Sequence, residues 1–382
     1  MFMRYCQGLL RVAAPALLAL SVLCAPGARA GDADRAMLHA NEANEANESI
    51  DDGVALHLLN RLGYGPVPGE LARVRAMGLR AYIDSQLAPP ALPAYLDASQ
   101  RGVGGPHAEV GAQRLLRAVA SPRQLEEVLC AFWLAHFGIV EGKGLGADEI
   151  GAIAHDAVRP HVFGSYAALR TAVAQHRGMR GRRIAGRRMG GRDALRALTA
   201  HFVSAPPAVL VRSLAGVWQQ TGGDQRAVLR TLFTSPAFLA PAEAGSKRKD
   251  ALRFVVSAVR ASGIAVTDAA PLVEVLARAG SPVYGRVVPM GAGERARFVT
   301  QLAEGRLMLA GAAPRAHEQA SSAPPVRAST EGGGQQGELA QPGRVLMEAP
   351  TPSAAAMAAA RNRPADPAGL REALSSEAFL RY

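Results

Sequence analysis

The sequence predicts an all-α fold: an irregular multi-helix body with a disordered N-terminal leader before it and a long Pro/Ala/Gly-rich C-terminal linker after it. Apolar residues recur at steps of three and four along most of the chain, which is the period of an amphipathic helix. No stretch alternates apolar and polar residues over the length of a strand, and the pairs Val255-Val256 and Val287-Val288 are too isolated to build a sheet. Glycine and proline separate the periodic segments, as expected between helices.

The N-terminal residues 1–30 have the features of a secretory signal peptide. Arg4 and Arg11 supply positive charge, Val12–Leu23 is apolar, and Ala28-Arg29-Ala30 is a cleavage site of the A-x-A type. Because the apolar stretch is shorter than the roughly 20 residues of a membrane span, we expect cleavage after Ala30 and no transmembrane helix in the mature chain. We therefore expect export to the periplasm or the extracellular space. Lipidation at Cys24 is the alternative, disfavoured by the bulky leucine before it.

A polar leader (residues 31–52) precedes the predicted helical domain (residues 53–310). The leader carries a short Asn-Glu-Ala repeat and no apolar period, so it has no means of forming a packed core. The domain opens with three short helices, around Leu56–Leu62, from Pro68 onward, and over Leu79–Leu87. A Gly-Tyr-Gly-Pro turn and Gly78 separate them.

The best specified element runs from Ser121 to Gly138. We expect Ser121 to be its N-cap, Gln124 to complete a capping box with it, and Gly138 to end the helix. Three aromatic residues fall within Phe132–Phe137, in a chain that is only 5% aromatic, so this helix is predicted to lie in the core. The apolar pattern leaves three of its residues on the outer face: Arg123, Glu126 and Glu127.

Further helices follow, interrupted by an Arg/Gly-rich break at residues 177–192. A helix over Asp148–Arg159 ends at an Arg-Pro-His corner, and another reaches His176. The break contains seven arginines and no acidic residue. After it, short amphipathic segments resume: Asp193–Val203, Pro207–Trp218, Asp224–Phe233, Ala251–Ala261, Pro271–Arg278 and Glu294–Leu309.

The C-terminal part divides into a flexible linker (residues 311–365) and a terminal helix (residues 366–382). The linker is too poor in large apolar residues to bury the surface that ordering requires. Pro367–Leu380 repeats Arg226–Leu239, with identity at seven of 14 positions. We expect this helix to dock back on the body, because an exposed Phe379-Leu380 pair is unfavourable. The alternative is that amphipathic helices ending in a serine turn simply look alike.

Several segments, in this order, resemble one family: Leu58–Leu87, Ser121–Phe137, Lys143–His176, Gly222–Phe238 and Ala251–Gly263. The sequence resembles the DUF1800 family, bacterial proteins that mostly carry an export signal and lack an agreed biochemical function. The resemblance covers most of Leu56–Met308 and implies helical structure and export. It supplies no catalytic residue. A long central section of the family pattern is missing here, where the chain passes through Arg177–Arg192 instead.

Candidate catalytic residues are His155, Asp156, His161 and His136, which lie close together in sequence. Histidine and carboxylate side chains on neighbouring helices are suited to acid–base chemistry or to zinc binding, but their spacing alone selects neither. We therefore predict no metal site and assign no cofactor. The chain contains no GxSxG, HExxH, phosphate-binding loop or CxxC motif.

The arginine-rich break is the candidate anion-binding surface, through six of its arginines: Arg177, Arg180, Arg182, Arg183, Arg187 and Arg188. An exposed loop that fills a deletion is the simpler interpretation. A docking surface for an envelope protein or an anionic polymer is the functional one. The net charge is +11, and nearly all of the basic residues are arginines, since the chain has only three lysines. No aromatic residue lies within the break. Nucleic acid is therefore a disfavoured partner.

These observations favour a non-enzymatic binding or assembly component of the cell envelope. The competing hypothesis is a hydrolase-like or metal-dependent enzyme, active or inactive, centred on the His155/His161 region. An enzyme requires those side chains to converge in a concave site, whereas a binding protein does not. Whether the chain is an enzyme stays open at this point.

Overall fold

The computed structural model describes residues 50–93, 96, 107–142, 144–182, 190–286, 288–310 and 367–382. These residues form fourteen α-helices and no strand, with two isolated antiparallel bridges, Ser165 to Asp224 and Arg248 to Arg381. The all-α prediction is confirmed. Within the same residues, no helix has the length and apolar character needed to cross a membrane. The predicted signal peptide, nearly all of the leader, and the linker at residues 311–365 lie outside the described residues.

The fourteen helices are, in chain order: α1 Asp52–Arg61, α2 Glu70–Met77, α3 Leu79–Leu87, α4 His107–Ala120, α5 Gln124–Phe137, α6 Ala147–Ile153, α7 Tyr166–Gln175, α8 Gly191–Phe202, α9 Ala208–Gln220, α10 Gln225–Phe233, α11 Ala251–Ser262, α12 Ala270–Arg278, α13 Ala292–Ala303 and α14 Pro367–Ser375. A π-helical turn, Ala154–Val158, and a 3₁₀ turn, Arg159–His161, continue α6. The domain boundaries drawn from the sequence stay a prediction.

Side-chain caps explain where four of these helices begin. A side-chain oxygen accepts the backbone N–H three residues ahead at the start of α1, α7, α10 and α11, from Asp51, Ser165, Asp224 and Asp250. Each cap satisfies a donor that has no partner inside the helix, at a typical gain of about 1 kcal/mol. Gly138 and Gly263 end α5 and α11 in the left-handed conformation that glycine adopts without strain.

Helix α5 lies at the centre of the core, as its aromatic content predicts. Trp133 is fully buried and packs against Tyr166 of α7, with ring centres 5.4 Å apart. The predicted capping box is replaced by another arrangement, because the helix begins only at Gln124. Ser121 accepts the Arg123 N–H, and the Gln124 amide accepts the Tyr64 N–H while donating to the Ser121 carbonyl. Gln124 therefore joins α5 to the turn after α1.

The expected outer face of α5 is buried. Glu126 and Glu127 have exposures of 5% and 4%, and both contact Arg117 of α4 and Arg159 of the turn after α6. Two carboxylates and two guanidiniums thus form one ion cluster in the core. Arg123 completes its rim at 3.3 Å from Glu126. The apolar pattern failed here because the acidic residues are neutralised by partners from other helices rather than by solvent.

Two buried arginines of α11 hold the turn between α1 and α2. Arg253 donates to the carbonyls of Asn60 and Gly63, both at 2.7 Å. Arg260, seven residues along the same helix face, donates to the Gly65 carbonyl at 2.7 Å and forms an ion pair with Glu70. Guanidinium groups satisfy carbonyls that the end of α1 leaves without partners.

The C-terminal segment contacts the body in two ways. Helix α14 packs on α13, its Leu374 is buried at 1% exposure, and Arg371 lies 3.8 Å from Glu304 at the end of α13. Beyond the helix, Arg381 pairs with Arg248 through the antiparallel bridge. These contacts place Tyr382 beside α11, where it forms part of the wall of a cavity.

Candidate functional site

Three of the titratable side chains near the π-helical turn form one hydrogen-bonded group. His155 Nδ1 lies 2.7 Å from Asp156 Oδ1, and His176 Nε2 lies 3.3 Å from Asp156 Oδ2. The backbone N–H of Gly178 donates to His176 Nδ1 at 3.1 Å, so the ring proton is on Nε2 and is donated to Asp156. The carboxylate is thus held between two imidazoles, and its side chain is 46% exposed.

The electrostatics of this group favour a charged carboxylate. Burial acts to raise the pKa of Asp156, but the hydrogen bonds and charges of His155 and His176 outweigh it, so the pKa is lowered from its ordinary value. A π-helical turn is an uncommon element that often occurs at functional sites. Here the turn directs His155 and Asp156 toward His176, at the end of α7.

The other two sequence-predicted residues lie in different surroundings. His136 is on α5 within a row of aromatic rings, 5.8 Å from Phe132 and 5.4 Å from Trp133 between ring centres. His161 ends the 3₁₀ turn, and its backbone carbonyl accepts the side-chain amide of Gln225 at 2.9 Å. The structure therefore joins His155 and Asp156 with His176. His176 lies near these residues in the sequence but was not among the candidates.

Among the residues that the structure describes, no group of three or more His, Cys, Asp or Glu side chains is placed to hold a metal ion. The reason at Asp156 is local. Both of its oxygens face imidazole nitrogens, and His176 uses Nδ1 to accept the Gly178 N–H. The Asp156 oxygens and both ring nitrogens of His176 are thus engaged in hydrogen bonds within this group.

The predicted anion-binding arginines are only partly described. Arg177, Arg180 and Arg182 are exposed after the end of α7, and Arg182 donates to the carbonyl of Gly144. That contact ties one arginine of the run to the loop before α6. Arg183, Arg187 and Arg188 lie outside the described residues.

A cavity of about 260 Å³ lies between α5, α11 and the turn at Ser281–Arg286. Its apolar wall is formed by one face of α5, including Ala131 and Phe132. Three tyrosines also line the cavity, Tyr64 and Tyr284 on the body and Tyr382 from the C-terminal segment. The cavity is thus a concave site with a mixed aromatic and polar lining.

Arginines give this cavity its positive character. Arg114, Arg253 and Arg286 all line it, together with one acidic residue, Asp250. The Arg253 Cζ lies 4.0 Å from the ring centre of Tyr382 and 5.1 Å from that of Tyr64. Arg114 stacks on Tyr284 at 4.5 Å and donates to the Val283 carbonyl. Guanidiniums against ring faces are fixed in orientation and remain charged.

Three titratable groups of the cavity, Tyr64, Tyr284 and His201, are held in their neutral forms near pH 7. Burial raises the pKa of Tyr64 and of Tyr284 to about 12, against the opposing charge of Arg114. Burial also lowers the pKa of His201 to about 3, and the positive charge of Arg253 acts in the same direction. Neutral phenols and a neutral imidazole are hydrogen-bonding groups for a ligand.

Sequence reasoning missed this cavity because its lining comes from segments far apart in the chain, from Tyr64 to Tyr382. The available signal was a pair of arginines seven residues apart in an otherwise apolar helix, Arg253 and Arg260. Arginines on a core-facing stripe require partners inside the protein. That signal indicates a buried polar site without saying which segments form it.

A sequence model of the family described as "Protein of unknown function (DUF1800)" matches residues 57–180 and 192–360, together more than half of the chain. The chain belongs to the DUF1800 family. The resemblance inferred from the sequence is thus confirmed, and the gap between the two matched stretches falls within the arginine-rich break of this DUF1800 protein. No curated protein and no solved structure matches the chain.

Proposed function

We propose that this DUF1800 protein is a non-enzymatic binding or assembly component of the cell envelope, and that it binds a small planar, anionic group in the cavity between α5 and α11. The observation that carries the proposal is the arrangement of Arg114 and Arg253 against aromatic rings around one concave space. Aromatic faces favour a planar ligand, and guanidiniums favour a carboxylate, sulfonate or phosphate on it.

The volume limits the size of this ligand. At about 260 Å³ the cavity is slightly smaller than the range of roughly 300–1,000 Å³ typical of small-molecule sites. It therefore suits a compact molecule or the terminal group of a larger one. An aromatic side chain beside a carboxylate, on an envelope protein, has this size and chemistry.

The ionisation states support binding rather than catalysis. A general base works best when its pKa lies near the working pH. With a pKa of about 3, His201 is a weak base, and the two tyrosines with pKa values of about 12 are weak acids. They are suited to donating or accepting fixed hydrogen bonds.

The test is a fluorescence titration of the purified protein with 8-anilinonaphthalene-1-sulfonate, a planar sulfonate. Ala131 lines the cavity, so Ala131→Phe fills it, and we expect the affinity to fall at least tenfold. The matched control is Ala167→Phe, on the exposed face of α7, which should bind as the wild type does. Equal affinity of the two variants would overturn the proposal.

Export is part of the proposal and rests on the sequence at residues 1–30. The basic start, the apolar stretch and the Ala-Arg-Ala site support delivery to the periplasm or the extracellular space. In either compartment the arginine-rich break at residues 177–192 would meet envelope proteins and anionic polymers, which are the partners that the proposal names.

A hydrolase-like or metal-dependent enzyme is the second candidate, and one specific observation favours it. Asp156 accepts from His155 and His176 on an uncommon π-helical turn, at a partly exposed position. A carboxylate that orients an imidazole is a recurrent element of acid–base catalysis. His161, at the centre of the sequence-based version of this hypothesis, contributes a backbone carbonyl to Gln225 instead.

A further inference from the structure

The segment Glu377–Tyr382 lies in a groove formed by Lys247–Lys249, Arg253 and Phe254, called here the tail groove. We propose that the tail groove is a peptide-binding site for a partner protein. Its occupant is an acidic segment with aromatic residues three positions apart, which forms a turn and then pairs its last three residues with Lys247–Lys249. The chain's own tail, which has this conformation, is the resident that the segment displaces. The inference goes beyond the proposed cavity ligand, and the groove shares Arg253 and Tyr382 with the cavity wall.

Backbone pairing supplies the general part of this recognition. The Lys247 N–H donates to the Tyr382 carbonyl at 3.2 Å, and the Tyr382 N–H donates to the Lys247 carbonyl at 2.9 Å. A third bond runs from the Lys249 N–H to the Leu380 carbonyl at 2.9 Å. Only Leu380–Tyr382 pairs in this way, because Glu377–Leu380 forms a turn. Bonds of this kind do not depend on the side chains, as in other cases where a peptide adds to an exposed backbone edge.

Two side-chain subsites supply specificity. The Phe379 ring packs edge-on against Phe254, with centres 5.8 Å apart, and Lys249 Nζ lies 3.7 Å from its centre. Three residues later, the Tyr382 ring covers Arg253 at 4.0 Å. Both subsites place an aromatic ring against a basic side chain, so the groove favours aromatic residues at these two positions. Burial lowers the pKa of Lys249 to about 7, so Arg253 supplies the permanent positive charge of the pair.

The charge of the groove selects an acidic segment. Lys247, Arg248, Lys249 and Arg253 lie within seven residues of sequence and are accompanied by Asp250 alone among acidic residues. In the resident tail, Glu377 lies 3.7 Å from Arg248. Acidic residues before the first aromatic position are therefore favoured, and mainly raise the rate and specificity of association.

The related segment Arg226–Leu239 is a permanently docked counterpart of the tail segment Pro367–Leu380. Ser235 and Ser376 each donate to a carbonyl of the preceding turn and accept the N–H of the phenylalanine three residues on. Phe238 is 0% exposed between His57 and Phe233, whereas Phe379 is only partly buried. The tail copy is the shallower one, as an exchangeable occupant requires.

The resident tail competes with any partner because it belongs to the same chain. A tethered ligand acts at an effective concentration on the order of millimolar. Loosening it should therefore raise the apparent affinity for an added peptide. This consequence distinguishes an exchangeable groove from a fixed intramolecular contact.

The experiment uses the full chain and a fluorescein-labelled peptide with the sequence of Ser375–Tyr382, with binding measured by fluorescence anisotropy. We expect weak binding to the wild type and at least tenfold tighter binding to the Phe379→Ala variant. A peptide with alanine in place of its phenylalanine should not bind. The control Glu372→Ala, an exposed change on α14, should match the wild type.

Equal affinity of the wild type and Phe379→Ala, or no binding to either, would overturn the inference. Tyr382→Ala provides a second loosened variant that keeps Phe379 and its packing on Phe254. It should bind the peptide more tightly than the wild type if the groove is exchangeable. The cavity proposal is tested separately, by titration with the naphthalene sulfonate. Failure of the peptide to bind would therefore overturn the inference about the groove without deciding the cavity proposal.

Discussion

Replacing Glu127 with glutamine tests the buried ion cluster that joins α4, α5 and the turn after α6. Both guanidiniums of the cluster contact the same oxygen: Glu127 Oε1 lies 2.9 Å from Arg117 Nε and 2.6 Å from Arg159 Nη1. Glutamine preserves the size of the side chain and one acceptor oxygen. The substitution thus removes one charge with little change in packing.

The expected cost follows from what remains. The side chains of Arg117 and Arg159 are 5% and 15% exposed, so the variant leaves two buried cations facing only Glu126. Removing one partner from a buried pair typically costs about 3–5 kcal/mol of unfolding free energy. Because glutamine still accepts a hydrogen bond, we expect about 3 kcal/mol. At roughly 2–4 °C per kcal/mol for a domain of this size, the Tm should fall by about 6–12 °C.

Thermal and urea unfolding followed by circular dichroism measure this loss. The control is Glu274→Gln, whose side chain is 77% exposed and makes one ion pair at 4.0 Å with Arg278. We expect the control to change the unfolding free energy by less than about 0.5 kcal/mol. If Glu127→Gln is within about 1 kcal/mol of the wild type, the cluster is not a stabilising feature and the reasoning fails.

The stability difference between the wild type and Glu127→Gln should depend on pH. Burial alone would raise the pKa of Glu127, but Arg159 and Arg117 outweigh it and hold the pKa below its ordinary value of 4.5. A carboxyl group with a lowered pKa stabilises the folded state above its unfolded-state pKa and loses that contribution as the pH falls through the folded-state pKa. The stability difference between wild type and Glu127→Gln should thus be constant from pH 7 to about 5 and shrink below 4.5. A constant difference down to pH 3 would contradict this assignment.

Three further predictions concern packing, the second candidate function and export. Gly151→Ala should destabilise by about 1–3 kcal/mol, because the new Cβ would lie 2.5 Å from Val110 Cγ1, whereas Gly216→Ala meets nothing within 4 Å and should stabilise by up to about 1 kcal/mol in thermal unfolding. Elemental analysis of the purified protein should find no stoichiometric divalent metal. A metal that is lost in His176→Ala would favour the enzyme. N-terminal sequencing of the exported protein should begin at Gly31, and an uncleaved Met1 would contradict export by this signal.

The helical body was predictable because it depends on local patterns. The apolar period of α5 and the glycine at its end identify the central helix without knowledge of its neighbours. The capping of α5 was not predictable, because the Gln124 side chain accepts a hydrogen bond from the Tyr64 N–H, sixty positions earlier in the chain. Likewise, the burial of Glu126 and Glu127 depends on arginines of other helices, and a one-dimensional pattern assigns such residues to solvent.

The candidate sites show the same limit. Adjacent residues such as His155 and Asp156 were identified together, but their third partner, His176, comes from the end of another helix. Proximity in sequence suggested His136 and His161, and the helices direct them elsewhere. The cavity depends wholly on tertiary structure, since Tyr64, Arg114 and Tyr382 meet only in the folded chain.

The most direct test of the account is a crystal structure of the protein with 8-anilinonaphthalene-1-sulfonate bound. We expect the naphthalene ring to lie in the cavity between Phe132 and Tyr284, with the sulfonate within hydrogen-bonding distance of Arg114, Arg253 or Arg286. A probe bound beside Asp156 and His176, with the cavity empty, would contradict the claim that the cavity is the functional site.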